Sequence, residues 1–202
     1  MSAPAVTSMQ TAPGARTSAG QGDTPTGGAT VWLTGLSGAG KTTIAVHLAT
    51  RLREHGRAVE VLDGDELREH LSPGLGFSRA DRDAHVRRVG YLARLLARHG
   101  VIALVPVIAP YAQARAAIRG DHEREAIDFL EVYVATPVQE CARRDVKGLY
   151  AAFERGELAS LTGLDDPYEA PQNADLVLDT AGRPVAESVK DLEQLMIQRG
   201  LS

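Results

Sequence analysis

The stretch VWLTGLSGAGKTTIAVHL, from Val31 to Leu48, limits what this chain can fold into more than any other. Its apolar, β-branched opening reads as a strand. Gly35, Gly38 and Gly40 follow within six residues, and Ile44, Leu48 and Leu52 then recur at helical spacing. Gly35 to Thr42 fits the spacing G-x-x-x-x-G-K-S/T. A glycine-rich turn lets the backbone N–H groups of Gly35, Leu36, Ser37, Gly38, Ala39 and Gly40 converge on an anion without Cβ atoms in the way. The helix that follows, opening with Lys41, Thr42 and Thr43, adds its positive N-terminal dipole at the same point. Lys41 is placed to reach β- and γ-phosphates, and the Thr42 hydroxyl to coordinate Mg²⁺. The stretch therefore specifies a nucleoside triphosphate and leaves open what is done with it.

Downstream, strand-like and helix-like segments alternate. Ala58–Asp63 reads as a second strand. Ser78 to Gly100 reads as one long helix, capped by Ser78 with Asp81, presenting Val86, Val89, Leu92, Leu95 and Leu96 to a core and ending at Gly100. Val101–Ile108 and Phe129–Ala135 are further strands, with a short helix over Tyr111–Arg119 between them and another starting at Pro137. LVLDT is the last strand, and Val185, Val189, Leu192 and Met196 mark one face of a final helix. This alternation predicts an α/β fold, a parallel sheet covered by helices on both faces, with ligands at the carboxyl ends of the strands.

At one such end stand Asp63 and Asp65. Two carboxylates beside a magnesium–nucleotide site suit metal coordination, or removal of a proton from an acceptor hydroxyl. Asp63 is the stronger candidate for both. The structural alternative has Asp63 ending the strand and Asp65 capping a helix at Glu66. Arg68, one turn on, can meet an anionic substrate or simply face solvent.

The chain has 202 residues and a formal net charge of −4, against the basic excess of a general nucleic-acid binder. Cys141 is its one cysteine, so no intrachain disulfide forms, and a reduced, cytoplasmic setting is expected. Cys141 itself reads as a small buried hydrophobe. No apolar run approaches the roughly 18 residues of a membrane span. Residues 1–28, rich in Ala, Ser, Thr, Gly and Pro, are expected to form a disordered tail ahead of a single domain over 29–202.

The run LDGDELREHLSPGLGFSRADRDAHVRR, together with the phosphate loop, resembles adenylylsulfate kinase. VIAPYAQAR and DVKGLYAAFERGELASLTGLDDPYEAP strengthen the resemblance, which spans Val31 to Val189. It implies a P-loop nucleoside-triphosphate hydrolase-type three-layer sandwich with a mobile lid over about residues 143–166. It implies transfer of the γ-phosphoryl of MgATP to the 3′-hydroxyl of adenosine 5′-phosphosulfate, giving 3′-phosphoadenosine 5′-phosphosulfate. Lys41 and Asp63 are then catalytic, and Thr42 and Asp63 hold the metal. Arg144 binds ATP. Asp65, Arg68, Phe77, Arg82, His85, Ile108, Lys147 and Leu161 belong to the acceptor side. Guanidinium forks suit the phosphosulfate, and Phe77 matches the position that stacks on adenine. Dimers are common in that family, which leaves a homodimer open.

The sequence departs from the pattern around the acceptor. His85 stands where an asparagine is frequent, with a charge expected to vary near neutral pH. Ala109 replaces a serine, Ala112 an arginine, and Leu161 a lid phenylalanine. These motivate one alternative, a P-loop kinase of another nucleoside-like hydroxyl. A GTP switch is disfavoured because the only asparagine, Asn173, is followed by alanine rather than lysine. A non-catalytic nucleotide module is disfavoured by intact Lys41, Thr42 and Asp63.

Overall fold

A computed structural model describes residues 27–201. The expected tail therefore lies outside the described residues, except for Gly27 and Gly28. Gly28 already belongs to the folded body, since a Cβ there would come within 2.1 Å of the Ala97 carbonyl oxygen.

Five parallel strands form one sheet in the order β2-β3-β1-β4-β5, as the alternation predicts. They are β1 (Ala29–Thr34), β2 (Val59–Val61), β3 (Ile102–Pro106), β4 (Asp128–Val134) and β5 (Leu176–Leu178). Central strands buried on both faces should read as near-continuous apolar runs. β1 and β3 do, and the alternation of their side chains divides two cores. Val31, Leu33, Ile102 and Leu104 point to one face, where they meet Ile44, Leu48, Val189, Leu192 and Met196. Trp32, Ala103 and Val105 point to the other, against Val86, Val89, Ala93 and Ile118. The first face carries α1 (Lys41–Glu54) and α7 (Val185–Gln198); the second carries α3 (Arg79–Arg98) and α4 (Ala112–Glu123).

The long helix keeps its predicted cap. Ser78 Oγ accepts from Asp81 N at 3.2 Å, and Gly100 ends the helix at φ +83°. Its buried face includes the expected Val86 and Val89, with Leu92 and Leu96 packed at the edge of the same core, and is widened by small residues. Gly90, Ala93 and Ala97 are buried with Val86 and Val89, while Leu92, Leu95 and Leu96 are half-buried flanks. The small residues bring α3 close to α4: a Cβ on Gly90 would stand 2.8 Å from the Ile118 side chain. β2 is shorter than its apolar run, although Leu62 N still bonds to Leu104 O at 2.8 Å and carries the chain straight to Asp63. α2 (Gly64–Leu71) follows at once, α5 (Val138–Arg144) follows β4, and the long post-α5 segment holds its own short helix, α6 (Leu149–Glu154). Asp145 anchors α6, its carboxylate accepting from Tyr150 N and Ala151 N at 3.0 Å each.

Candidate active site

The connection leaving β1 returns through β2 on one side of the sheet, whereas that leaving β3 crosses to β4 on the other. Such a reversal opens a crevice at the carboxyl ends of the strands. The phosphate loop fills it, between Thr34 and Lys41. Gly35 has φ +150°, Gly38 +76° and Gly40 +102°, values that L side chains rarely adopt. At Gly35 a Cβ would also stand 2.4 Å from the Val134 carbonyl oxygen, so only glycine can leave β1 here.

Lys41 is 8% exposed and folds back over the loop, its Nζ donating to Gly35 O at 3.0 Å and Leu36 O at 2.8 Å. Burial, aided by the nearby Lys147 charge, lowers its pKa from 10.5 to about 8; Asp63 pulls the other way. Next to it, the Thr42 hydroxyl donates to Asp63 Oδ2 at 2.8 Å. The loop and the end of the second strand, 21 residues apart in sequence, thus bring together the two residues expected to hold a metal. Asp63 Oδ1 accepts from Asp65 N at 2.9 Å, which makes Asp63 the N-cap of α2. The alternative that placed the cap on Asp65 is corrected. The helix starts two residues earlier, because Asp63 has the extended backbone and the free carboxylate a cap requires. Asp65 is free of the cap and pairs instead with Lys147 from the segment after α5.

On the far side of the loop, Arg144 donates to Thr180 Oγ1 at 2.8 Å and to Thr180 O at 2.7 Å. Together with Gly40, Thr43, Ile44, Arg183, Val185 and Ser188 these residues bound a pocket of about 160 Å³ at the start of α1. Thr136 and Thr180 both donate to Ala39 O, at 2.9 and 3.0 Å, and the Tyr150 hydroxyl donates to Ser37 O at 3.0 Å. These braces were not foreseen. They come from 97 to 141 residues away, and a threonine or tyrosine alone carries no signal of such a role.

The expected acceptor residues form a second cluster. Arg68 lies over the Phe77 ring, 4.5 Å from its centroid, and Arg82 lies 5.6 Å away on the same ring. Phe77 itself is 60% exposed. Arg68 also donates to the Gly76 carbonyl. Burial and the neighbouring Arg82 charge lower the Arg68 pKa. Arg82 is buried and engaged on every side. Nε donates to Phe77 O at 2.8 Å, Nη1 to Thr162 Oγ1 at 2.8 Å and Nη2 to Ser160 O at 2.6 Å, with Asp166 at 3.5 Å. Ile108 lies two residues beyond β3, its carbonyl accepting from Thr34 Oγ1.

One expectation changes. His85 is 4% exposed, with Nδ1 3.0 Å from Ser72 Oγ. Burial, then the Arg68 charge, lowers its pKa from 6.5 to about 4, so its charge does not vary near neutral pH. Leu161, within the lid segment, is buried in the same apolar cluster as Leu36 and Tyr150.

A parallel sheet with a glycine-rich phosphate loop after its central strand, a buried lysine on that loop, and a threonine–aspartate pair beside it defines a P-loop phosphotransferase. Residues 27–179 match the adenylylsulphate kinase family, and the chain belongs to it. An adenylyl-sulfate kinase of Synechococcus sp. (strain JA-2-3B'a(2-13)) is 49% identical over 173 residues, 86% of this chain and 97% of that protein. One from Chloroflexus aurantiacus is 56% identical over 153 residues, 76% of this chain and 80% of that protein. Among solved structures, Mycobacterium tuberculosis APS kinase CysC in complex with AMPPNP and APS superposes with a TM-score of 0.82. It is 46% identical, covering 85% of this chain and 99% of that one.

Proposed function

We propose that this chain is an adenylylsulfate kinase that transfers the γ-phosphoryl of ATP to the 3′-hydroxyl of adenosine 5′-phosphosulfate. The carrying observation is the 2.8 Å contact between Thr42 Oγ1 and Asp63 Oδ2, beside a buried lysine and opposite two arginines that flank an exposed aromatic ring. In the reaction the acceptor oxygen forms a bond to the γ-phosphorus, the bond to the β–γ bridging oxygen breaks, and ADP leaves. The acceptor proton passes to Asp63 or, through it, to solvent.

Each residue then has a task. The backbone N–H groups from Leu36 to Thr43 cradle the phosphates. Lys41 leaves the two loop carbonyls and carries its positive charge to the β- and γ-oxygens. Thr42 and Asp63 are hard oxygen donors, a hydroxyl and a carboxylate, as Mg²⁺ bound mainly by phosphate and water requires. Such an ion, held by Thr42 and Asp63, would supply neutralisation of phosphate charge. The pocket beside Arg144, Thr180 and Arg183 takes the ATP base. Phe77 stacks on the acceptor adenine against Ile108, and Arg68 meets the phosphosulfate. Arg82 adds charge there and holds Ser160, Thr162 and Asp166 over it. Lys147, through Asp65, ties the lid to the phosphate end. A closed lid matters because water competes with the 3′-hydroxyl.

The reading extends to a single kinase domain over 29–202 with its lid over about 143–166, to a cytoplasmic setting, and to a homodimer. Nucleic acid and membrane are not among the expected partners. Among the described residues no helix is long and apolar enough to cross a membrane. The test is ATP consumption with adenosine 5′-phosphosulfate in the presence and absence of Mg²⁺, with the product's phosphate position read by ³¹P NMR. Magnesium-dependent formation of the 3′-phosphate is expected. Turnover only with another nucleoside-like acceptor would replace this reading by the alternative raised by the sequence.

A further inference from the structure

The two halves of the site separate where β1 and β3 part. Leu33 opposite Pro106 is the last register pair, and Val107 N reaches Leu33 O at 3.0 Å one step further. Beyond that, one chain becomes the phosphate loop at Gly35 and the other the acceptor wall at Ile108. Thr34 spans the gap with its side chain. Fully buried, it donates its hydroxyl proton to the Ile108 carbonyl, and its oxygen lies 3.0 Å from the Tyr168 hydroxyl. A threonine hydroxyl has one proton. With that proton given to Ile108, Tyr168 must be the donor to Thr34. The contacts form one directed chain, Tyr168 to Thr34 to Ile108. Burial raises the Tyr168 pKa, which keeps the donor proton in place.

Tyr168 belongs to the segment through which the lid returns to the sheet, and that segment is docked along its length. Asp166 meets Tyr111 Oη at 3.3 Å as well as Arg82. Glu169 N donates to Pro110 O at 2.9 Å, and Glu169 Oε2 accepts from Ala112 N at 2.7 Å. The carbonyl of Glu169 accepts from Arg115 Nη2 at 2.6 Å. Arg115 is 2% exposed, pairs with Glu131 at 2.7 Å, and also holds the carbonyl of Ala109, a non-glycine residue at φ +43°. The Tyr168 ring stacks on Tyr133 at 5.9 Å, so its position does not depend on its hydroxyl.

We propose that Tyr168 is a positioning residue for phosphoryl transfer: with the lid's return segment docked, its hydroxyl fixes, through Thr34, the spacing between the phosphate loop and the acceptor wall. The inference rests on the functional reading above. It adds a link between lid and reaction that neither substrate's own contacts provide. Small displacements between donor phosphate and acceptor hydroxyl are costly, because transfer depends on a near in-line approach. Removing the hydroxyl leaves the stack, the Glu169 contacts and the phosphate-loop braces in place.

The experiment is a double-mutant cycle of Tyr168→Phe and Thr34→Val in the full chain. Each is read as kcat, acceptor KM, ATP affinity without acceptor, active-site titre and melting temperature. Tyr168→Phe is expected to lower kcat about three- to tenfold, the scale of one hydrogen bond plus a misplaced acceptor. Acceptor KM should rise while ATP affinity and active-site titre hold. The double variant should be no worse than the worse single, because both break one chain. Wild-type kcat in Tyr168→Phe, additive losses in the double variant, or a loss explained wholly by a lower titre of active enzyme would each overturn the proposal. The wild-type rate with adenosine 5′-phosphosulfate, measured first, tests the functional reading separately. The variant-to-wild-type ratio tests this one, on whichever acceptor the wild type phosphorylates.

Discussion

The nucleotide end and the acceptor end of the cleft are built on different principles. The phosphate loop is continuous in sequence, and its polar atoms are held by the protein itself. Gly35 and Leu36 carbonyls hold Lys41, Thr136 and Thr180 hold Ala39, and Tyr150 holds Ser37. Lys41 is 8% exposed. The acceptor end is assembled from the α2–α3 region, the end of β3 and the lid, and its central ring, Phe77, is 60% exposed. A site made of one pre-formed loop tolerates little change. A site made of converging segments can lose one contact and keep the others. All the sequence departures lie at the acceptor end, and the fold gives several of them internal contacts. His85 bonds Ser72, Ala112 N bonds Glu169, and Leu161 packs in the core.

The contrast breaks most sharply at Lys41. Lys41→Ala removes the cation that meets the β- and γ-phosphates, and turnover should fall at least about 100-fold, the scale of a single charge-stabilising group. Circular dichroism and melting temperature should stay near wild type. Turnover within a few-fold of wild type in a folded protein would mean that the loop alone organises the phosphates.

Asp63→Asn comes next. The amide oxygen can still cap α2, but the NH2 that takes the place of Oδ2 can only donate to Thr42 Oγ1, and the amide can neither take a proton nor offer a charge to Mg²⁺. A loss of about 10- to 100-fold in kcat is expected with ATP binding retained, measured by calorimetry alongside steady-state rates. If acceptor phosphorylation persists within a few-fold, Asp63 is a helix cap and no more.

How much of this could be read in the sequence follows the same division. The phosphate loop was legible because its spacing is local and glycine is required by backbone angle at Gly35, Gly38 and Gly40. The parallel sheet was legible because strands and helices alternate, and because β1 and β3, buried on both faces, read as apolar runs. The Thr136, Tyr150 and Thr180 braces, and the Arg115–Glu131 pair under the lid's return segment, were not legible. They join residues far apart with no periodicity to reveal them. The α3 face was read in part: Val86 and Val89 are buried and Leu92 and Leu96 pack beside them, but the closest helix contact selects small side chains, so Gly90, Ala93 and Ala97, which carry no apolar signal of that size, take its centre.

A smaller effect is expected at Phe77. Phe77→Ala removes an exposed ring that carries no charge and braces no backbone. Acceptor KM should rise about tenfold, the scale of one stacked aromatic contact, with kcat at saturating acceptor and ATP KM changing less than threefold. A comparable rise in ATP KM would show that the two ends are not separable in this way.

The smallest effect on activity is expected at His85, and it appears in stability instead. The folded protein holds this histidine at a pKa of about 4, against 6.5 for a free side chain, because burial and the Arg68 charge disfavour the imidazolium. Between those values the unfolded chain binds a proton that the folded chain refuses. His85 therefore contributes stability that is present above pH 6.5 and lost as pH falls toward 4. At pH 5.5 the loss from this one group is about 1 kcal/mol. His85→Asn keeps a hydrogen-bonding partner for Ser72 without a titrating ring, so the fall in melting temperature from pH 7 to pH 5 should be shallower than in wild type. A residual slope should remain, because burial also lowers the pKa of His122, enclosed between Thr30 and the Ile118 carbonyl. Turnover at pH 7 should change less than about twofold, and the activity profile between pH 6 and 7.5 should match wild type, since His85 is already neutral across that range. A wild-type rate that titrates near pH 6.5 and flattens in His85→Asn would show that the ring opens toward the acceptor during turnover. The acceptor end would then be more mobile than its internal hydrogen bonds imply.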